Sequence, residues 1–180
     1  MATSEDIITH TKHWIKSVVI DCNFCPFAAR VYQQQSIHYT ISKGLAAKDA
    51  LPLVKAELEW LDANASTETS FVIFQDSFED FDDYLGLVKK AERLLAKEGD
   101  EGVYQIASFH PHYCFNGCDE DDAANYTNRS PYPMLHLLRE DSLENALRFF
   151  KHPESIPENN IAFARSKGLA YMQMLLAACR

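Results

Sequence analysis

Most side chains that could bind or transform a small molecule lie between residues 109 and 139. The segment runs FHPHYCFNGCDEDDAANYTNRSPYP from Phe109 to Pro133 and is followed by a short apolar stretch. His110 and His136 are candidate acid/base groups, because imidazole changes its charge near neutral pH. Asp122 is a candidate orienting partner for His110. This part of the chain therefore has the residue types needed for proton transfer.

Two arginines in the same region indicate recognition of an anion. The planar guanidinium groups of Arg129 and Arg139 match the geometry of a carboxylate or a phosphate. Asn125, Asn128 and Ser130 add neutral hydrogen-bonding groups nearby. We therefore predict a pocket for an anionic small molecule, with histidine acid/base chemistry if the protein is an enzyme. A non-catalytic alternative is that these amide and hydroxyl groups bond to the backbone and make the loop rigid, as in an interaction module.

Cys25 is a candidate nucleophile that depends on the fold. It would act only if its loop meets His110, which would accept the thiol proton. Pro26 suits the first position of a short helix over residues 27–32, and the free amides at such a helix start favour a thiolate. The pair Cys22 and Cys25 has the spacing of a redox motif, but it follows a predicted helix, whereas a thioredoxin-like motif follows a strand.

A metal site is the second hypothesis for the same residues. Zinc could be held by Cys25, His110 and Asp122, or by the pair Cys22 and Cys25 together with a second cysteine pair. The second pair is Cys114 and Cys118.

The elements that must position these residues follow from the periodicity of apolar side chains. Helices are predicted from residue 4 to near 21, from 50 to beyond 61, from 80 to 99, from 141 to about 150, and over 158–178. The fourth of these helices is predicted to begin with a capping box between Asp141 and Glu144. Strands are predicted over residues 36–42, 71–75, 103–109 and 134–140. This order predicts an α/β or α+β fold in a single domain over residues 1–180, with a small mixed sheet of three to four strands and helices packed on it. The long loop over residues 110–133 has no periodicity, and we expect it to be functional.

Composition excludes several classes of partner. The net charge of −9 argues against binding to nucleic acid, which requires a basic face. No apolar run is long enough for a membrane helix. Five cysteines and no export signal indicate reduced thiols and a cytoplasmic location. The glycine-rich phosphate and dinucleotide motifs are missing as well, so the sequence indicates no particular cofactor.

Three motifs in the sequence resemble those of a bacterial domain of unknown function, family 1415 in the usual numbering. They are Asn23-Phe-Cys-Pro-Phe-Ala28, Phe109-His-Pro111 and the run from Asn125 to Glu140, and the resemblance extends over nearly the whole chain. The family has no assigned activity, so the resemblance implies a set of positions and not a reaction. Those positions are Asn23, Cys25, Pro26, His110, Pro111, Asp122, Asn125, Thr127, Asn128, Arg129, Ser130, His136 and Arg139. Cys22, Cys114 and Cys118 lie outside the pattern, which argues against the four-cysteine zinc site.

Overall fold

A mixed four-stranded sheet organises the computed structural model, which describes residues 2–148 and 150–180. Its strands are β1 (Ile37–Ser42), β2 (Thr69–Phe74), β3 (Tyr104–Phe109) and β4 (Met134–Arg139), in the spatial order β1-β2-β4-β3. β1 and β2 are parallel, whereas β4 runs antiparallel to both β2 and β3. The predicted mixed sheet is confirmed. β4 returns antiparallel because the long loop after β3 allows the chain to reverse.

Helices cover both faces of this sheet. They are α1 (Ser4–Trp14), α2 (Ala28–Gln33), α3 (Ala50–Ala63), α4 (Phe81–Glu98), α5 (Glu140–Leu147), α6 (Ile156–Lys167) and α7 (Leu169–Ala177), and α1 continues as a π-helical segment over Ile15–Ile20. Short 3-10 segments lie at Ala47–Asp49, Ala123–Thr127 and Pro153–Ser155. The start of α1 is a capping box between Thr3 and Asp6, and α4 ends at Gly99 in the left-handed conformation. Among the described residues, no helix is both long enough and apolar enough to cross a bilayer.

Two predicted helices differ from the observed ones. The helix predicted over residues 158–178 is divided at Gly168, whose φ of 85° interrupts the helical hydrogen bonds between α6 and α7. The Asp141–Glu144 capping box is wrong, because α5 already begins at Glu140, directly after β4. The described part of this helix ends at Leu147, and Phe149, near the predicted end, lies outside the described residues.

The alternation of side chains along the strands separates two cores. On one face, α1, α2 and the π-helical segment pack with α6 and α7 against a layer that includes Phe71 and Met134. On the other face, α3 and α4 pack against Val72, Leu135 and Leu137. Neighbouring residues of β4 therefore point into different cores, and this decides which candidate residues can meet.

Candidate functional site

His136 lies in the middle of β4 and points toward the face covered by α1 and α2. Its ring stacks on Phe71, with centroids 3.9 Å apart and planes 8° from parallel. Its Nε2 lies 2.6 Å from the hydroxyl of Thr69, and that hydroxyl donates its only proton to the carbonyl of Leu137 at 2.5 Å. Nε2 must therefore carry the imidazole hydrogen and donate it to Thr69, which leaves Nδ1 with a free lone pair.

The imidazole of His136 is electrically neutral. Burial lowers its pKa from 6.5 to about 3, since a charged ring would lose its hydration there without gaining a counter-ion. The residue as a whole is only half-buried, but the ring lines a small apolar cavity. We therefore attribute its remaining accessible surface to this cavity.

The cavity lies between α2, α1 and the sheet, and Cys25 lines it together with His136. Its volume is about 100 Å³. The other lining residues are apolar: Trp14, Ile15, Val19, Phe27, Ala28, Val31, Ile37, Phe71, Ala107, Phe109, Leu138 and Leu143. The indole N–H of Trp14 already donates to the carbonyl of Arg129 at 3.0 Å. The thiol of Cys25 and the imidazole of His136 are thus the two polar groups of the lining that are left for a ligand.

Cys25 is held in its neutral thiol form. Burial raises the pKa of this thiol, and the hydrogen bonds that it receives from the backbone N–H groups of Phe27 and Ala28 oppose that change only in part. The carbonyl of Cys25 also accepts the N–H of Ala28 at 3.2 Å. The N-cap of α2 is Phe27, however, and the thiolate predicted for Cys25 at a helix start is wrong. Helix α2 itself starts at Ala28, one residue after the predicted position.

His110 lies on the opposite side of the sheet and does not line this cavity. Its ring is fully buried and packs against Tyr84 of α4 at 4.9 Å between centroids. Nε2 donates to the carbonyl of Phe78 at 2.9 Å, and Nδ1 accepts the N–H of His112 at 3.0 Å. Burial lowers the pKa of His110. Both ring nitrogens are occupied, so His110 is not the partner of Cys25 that was predicted, and Cys25 shares its cavity with His136 instead.

Asp122 is paired with an arginine and does not orient His110. Its carboxylate accepts two hydrogen bonds from Arg165 of α6, at 3.1 and 2.7 Å, and one from the N–H of Ala124 at 2.9 Å. The hydrogen bonds from Arg165 and then from Ala124 lower the pKa of Asp122 to about 2. Asp122 thus connects the long loop to α6 and starts the 3-10 segment that follows it.

The structure does not bring Arg129 and Arg139 together. Arg129 precedes the start of β4, whereas Arg139 is its last residue, and roughly 17 Å of strand lies between the two ends. Arg139 donates to the carbonyls of Leu61 and Thr67 at 2.5 and 3.1 Å, and to the hydroxyl of Tyr104 at 3.0 Å. It therefore closes the carboxyl end of α3.

Arg129 holds the long loop together from within. Its Nε donates to the carbonyl of Tyr113 at 3.0 Å, its Nη2 donates to the carbonyl of Glu120 at 2.8 Å, and its guanidinium lies 4.6 Å from the centroid of the Tyr126 ring. Arg129 also lines a groove with a volume of about 370 Å³. Glu79, Asp80, Asp82 and Glu120 also line the groove, so its charge favours cations over anions.

The polar side chains of the loop bond to the backbone. Asn125 accepts the N–H of Phe115 at 3.0 Å and donates to the carbonyls of Asp119 and Glu120. Asn128 donates to the carbonyl of Ser108 at 3.3 Å. The Ser130 hydroxyl donates to the carbonyl of Tyr132 at 2.6 Å. These bonds match the rigid-loop alternative, in which the amides need no ligand.

Metal ligands are not assembled in the part of the chain that the structure describes. No group of three His, Cys, Asp or Glu side chains there is arranged to hold an ion. All five cysteines are free thiols, and Cys22 is buried in the core. Neither the Cys25–His110–Asp122 site nor the four-cysteine site is formed.

A second polar cluster was not predicted from the sequence. The buried carboxylate of Glu57 in α3 accepts hydrogen bonds from Ser70, from Thr40 at 2.7 Å and from Nδ1 of His38 at 2.5 Å. The ring of His38 stacks on Trp60, with centroids 3.8 Å apart. The sequence contained one signal for this cluster. His38 and Thr40 are polar residues on the same face of a predicted strand, where apolar residues would be expected.

The fold defines an α+β protein with helices on both faces of a mixed four-stranded sheet, and its cavity lies under the first two helices. A family model described as a protein of unknown function, DUF1415, matches residues 6–174, and the chain belongs to this family. The resemblance to family 1415 inferred from the sequence is thereby confirmed, whereas the bacterial origin stays a prediction. No curated protein and no solved structure matches the chain.

Proposed function

We propose that the protein binds a small, uncharged and mainly apolar molecule in the cavity lined by Cys25 and His136. The proposal rests on the hydrogen bonds of His136, which leave Nδ1 of a neutral imidazole without a partner, and on the position of this residue in the lining of an otherwise mainly apolar cavity. A ligand with one hydrogen-bond donor would satisfy that nitrogen and bury its remaining surface against the apolar walls. Cys25 would contact the ligand as a soft, weakly polar neighbour.

The charge of the ligand follows from the environment. Burial keeps both polar groups of the cavity neutral, because it lowers the pKa of His136 and raises the pKa of Cys25. An anion entering this space would lose its hydration without meeting a cation. The anionic ligand expected from the sequence would therefore have to bind elsewhere. Arg129 and Arg139, which were expected to hold that anion, already donate to main-chain carbonyls. Binding of an anionic ligand to this protein therefore stays a prediction.

The size of the ligand follows from the volume. A cavity of about 100 Å³ is smaller than the roughly 150 Å³ cavity that accepts benzene in an engineered core. It therefore suits about five non-hydrogen atoms. Such a ligand binds at best in the micromolar range and more commonly in the millimolar range, about −4 kcal/mol. The test must accordingly detect weak binding.

A matched pair of five-membered rings tests the proposal. Pyrrole carries an N–H donor and furan does not, while their sizes are nearly equal. We expect pyrrole to shift the NMR signals of His136 and Cys25 and to bind about tenfold more tightly than furan, the factor for one hydrogen bond of ~1.4 kcal/mol. Butyrate, a charged control of similar size, should leave these signals unchanged.

Two variants make the test specific to the cavity. His136→Phe should remove the difference between pyrrole and furan, since it removes the acceptor. Ala28→Leu should fill the cavity and weaken both ligands, while Ala170→Leu on the exposed surface of α7 serves as its control. Equal affinities for pyrrole and furan in the unaltered protein, or no response of His136 to either, would overturn the proposal.

A further inference from the structure

The cysteines of the long loop lie at the two ends of a tight turn, Cys114-Phe-Asn-Gly-Cys118. The N–H of Cys118 donates to the carbonyl of Phe115 at 3.0 Å. Gly117 has a φ of 79°, a conformation that glycine adopts without strain. Both thiols are free and half-buried. The function proposed above does not use them.

The Cys114 side chain folds back across this turn. Its Sγ lies 3.4 Å from the carbonyl oxygen of Cys118 and 3.7 Å from that of Phe115. A disulfide needs Cα atoms about 4.4 to 6.8 Å apart, and the turn over residues 115–118 returns the chain to the side chain of Cys114. Because the Cys114 sulfur already contacts the main chain of Cys118, a bond between them requires side-chain rotation and little movement of the backbone.

We infer that Cys114 and Cys118 are a site of reversible oxidation, at which a low-molecular-weight disulfide such as oxidised glutathione converts the two thiols into an intraloop disulfide. The Cys118 sulfur, after losing its proton to solvent, attacks the glutathione disulfide and releases one glutathione thiolate. The Cys114 sulfur, deprotonated in the same way, then attacks the mixed disulfide and releases the second. The protein loses two protons and two electrons, and oxidised glutathione becomes two molecules of glutathione.

Cys118 is the better first nucleophile because of its neighbour on α6. The guanidinium of Arg165, which is anchored on Asp122 by hydrogen bonds at 3.1 and 2.7 Å, also faces the Cys118 thiol. Cys114 has carbonyl oxygens as its hydrogen-bonding neighbours.

The disulfide would cross-link a segment that Arg129 already holds. The carbonyls that accept from Arg129 belong to Tyr113 and Glu120, which lie on either side of the turn. Oxidation would therefore limit the opening of the loop. The inference stands apart from the apolar cavity, since neither cysteine lines it.

Tryptic mass spectrometry of the full-length reduced protein after incubation with oxidised glutathione tests the site directly. Cleavage after Lys97 and Arg129 produces one peptide, 98–129, that contains Cys114 and Cys118 and no other cysteine. We expect this peptide to lose the mass of two hydrogen atoms and to regain it on reduction. The peptide 17–30, with Cys22 and Cys25, is the internal control and should stay reduced, because burial raises the pKa of both its thiols.

Single variants then assign the order of the two steps. Cys114→Ser should stop at a stable glutathione adduct on Cys118, whereas Cys118→Ser should form an adduct on Cys114 more slowly. Arg165→Gln should slow oxidation of the pair by about fivefold, the factor for two unit charges in contact in water. Arg93→Gln, which removes an exposed positive charge from α4, is its matched control.

Three results would overturn the inference. The first is a peptide 98–129 that keeps its mass after incubation, and the second is loss of two hydrogen atoms from peptide 17–30 in its place. The third is faster adduct formation in Cys118→Ser than in Cys114→Ser, which would refute the assignment of Cys118 as the first nucleophile.

Discussion

Because the imidazole of His136 is neutral in the folded protein, the free energy of unfolding should decrease as the pH decreases below about 6.5. Replacing His136 should abolish this contribution to the pH dependence. Above about pH 6.5 the ring is uncharged in both the folded and the unfolded chain, and it contributes nothing to the pH dependence. Below that value the unfolded chain binds a proton, while the folded chain does not until the pH approaches the folded pKa of about 3. Stability is therefore lost as the pH falls through this interval.

The size of the effect follows from the two pKa values. The pKa of His136 is 6.5 in the unfolded chain and about 3 in the folded protein. Between about pH 7 and about pH 4.5, this difference corresponds to a loss of roughly 2.5 kcal/mol in the free energy of unfolding. Water that reaches the cavity would reduce this figure to ~2 kcal/mol. For a chain of this length, such a loss lowers the melting temperature by roughly 4 to 8 °C.

Urea denaturation at both pH values, with His136→Phe as the comparison, measures the contribution. The phenyl ring keeps the stacking on Phe71 and removes the titrating group. The unaltered protein should lose ~2 kcal/mol more than the variant over this pH interval, whatever the variant's stability at neutral pH. His13→Gln, at an exposed position of α1, is the control and should follow the unaltered protein. Parallel losses in the unaltered protein and in His136→Phe would refute the burial argument.

Two further predictions concern the arginines. Arg139→Ala should lower the free energy of unfolding by about 2 to 4 kcal/mol, because two carbonyls and the Tyr104 hydroxyl lose their shared donor; urea denaturation measures this, and a change below about 0.5 kcal/mol would contradict it. Arg129→Lys should destabilise the protein nearly as much as Arg129→Ala, about 1 to 3 kcal/mol, because an ammonium cannot reach two carbonyls in a fixed fork. Hydrogen exchange should then be faster at residues 113–120, and unchanged exchange together with unchanged melting would show that this arginine does not hold the loop.

The strands and most helices could be predicted because their signals are local. Gly99 after α4 and the acidic first turn of α1 mark helix ends within a few residues of chain. The prediction failed where two local signals competed. At Gly168 the apolar periodicity continues through a residue whose conformation interrupts the helix, and at Asp141 a capping pattern lies inside a helix that begins one residue earlier.

The candidate site was predicted only as a list of residues. Cys25, His110 and His136 were each identified by type, but their pairing depends on the face of the sheet toward which each side chain points. His136 points toward α1 and α2, whereas His110 follows the end of β3 and turns toward α4. Because that choice depends on strand order and on the reversal of β4, no local pattern contains it.

The sequence by itself determined the elements of this protein, its acidic charge and the segments that hold its reactive side chains, since these depend on composition and on neighbours along the chain. Only the tertiary structure decided what each polar group does. Arg129 and Arg139 find main-chain carbonyls, Asp122 finds Arg165, and His136 finds an apolar cavity that it shares with Cys25. The physical reason is that charge state and hydrogen-bonding depend on burial and on partners far away in the chain, and both are set when the helices pack on the sheet.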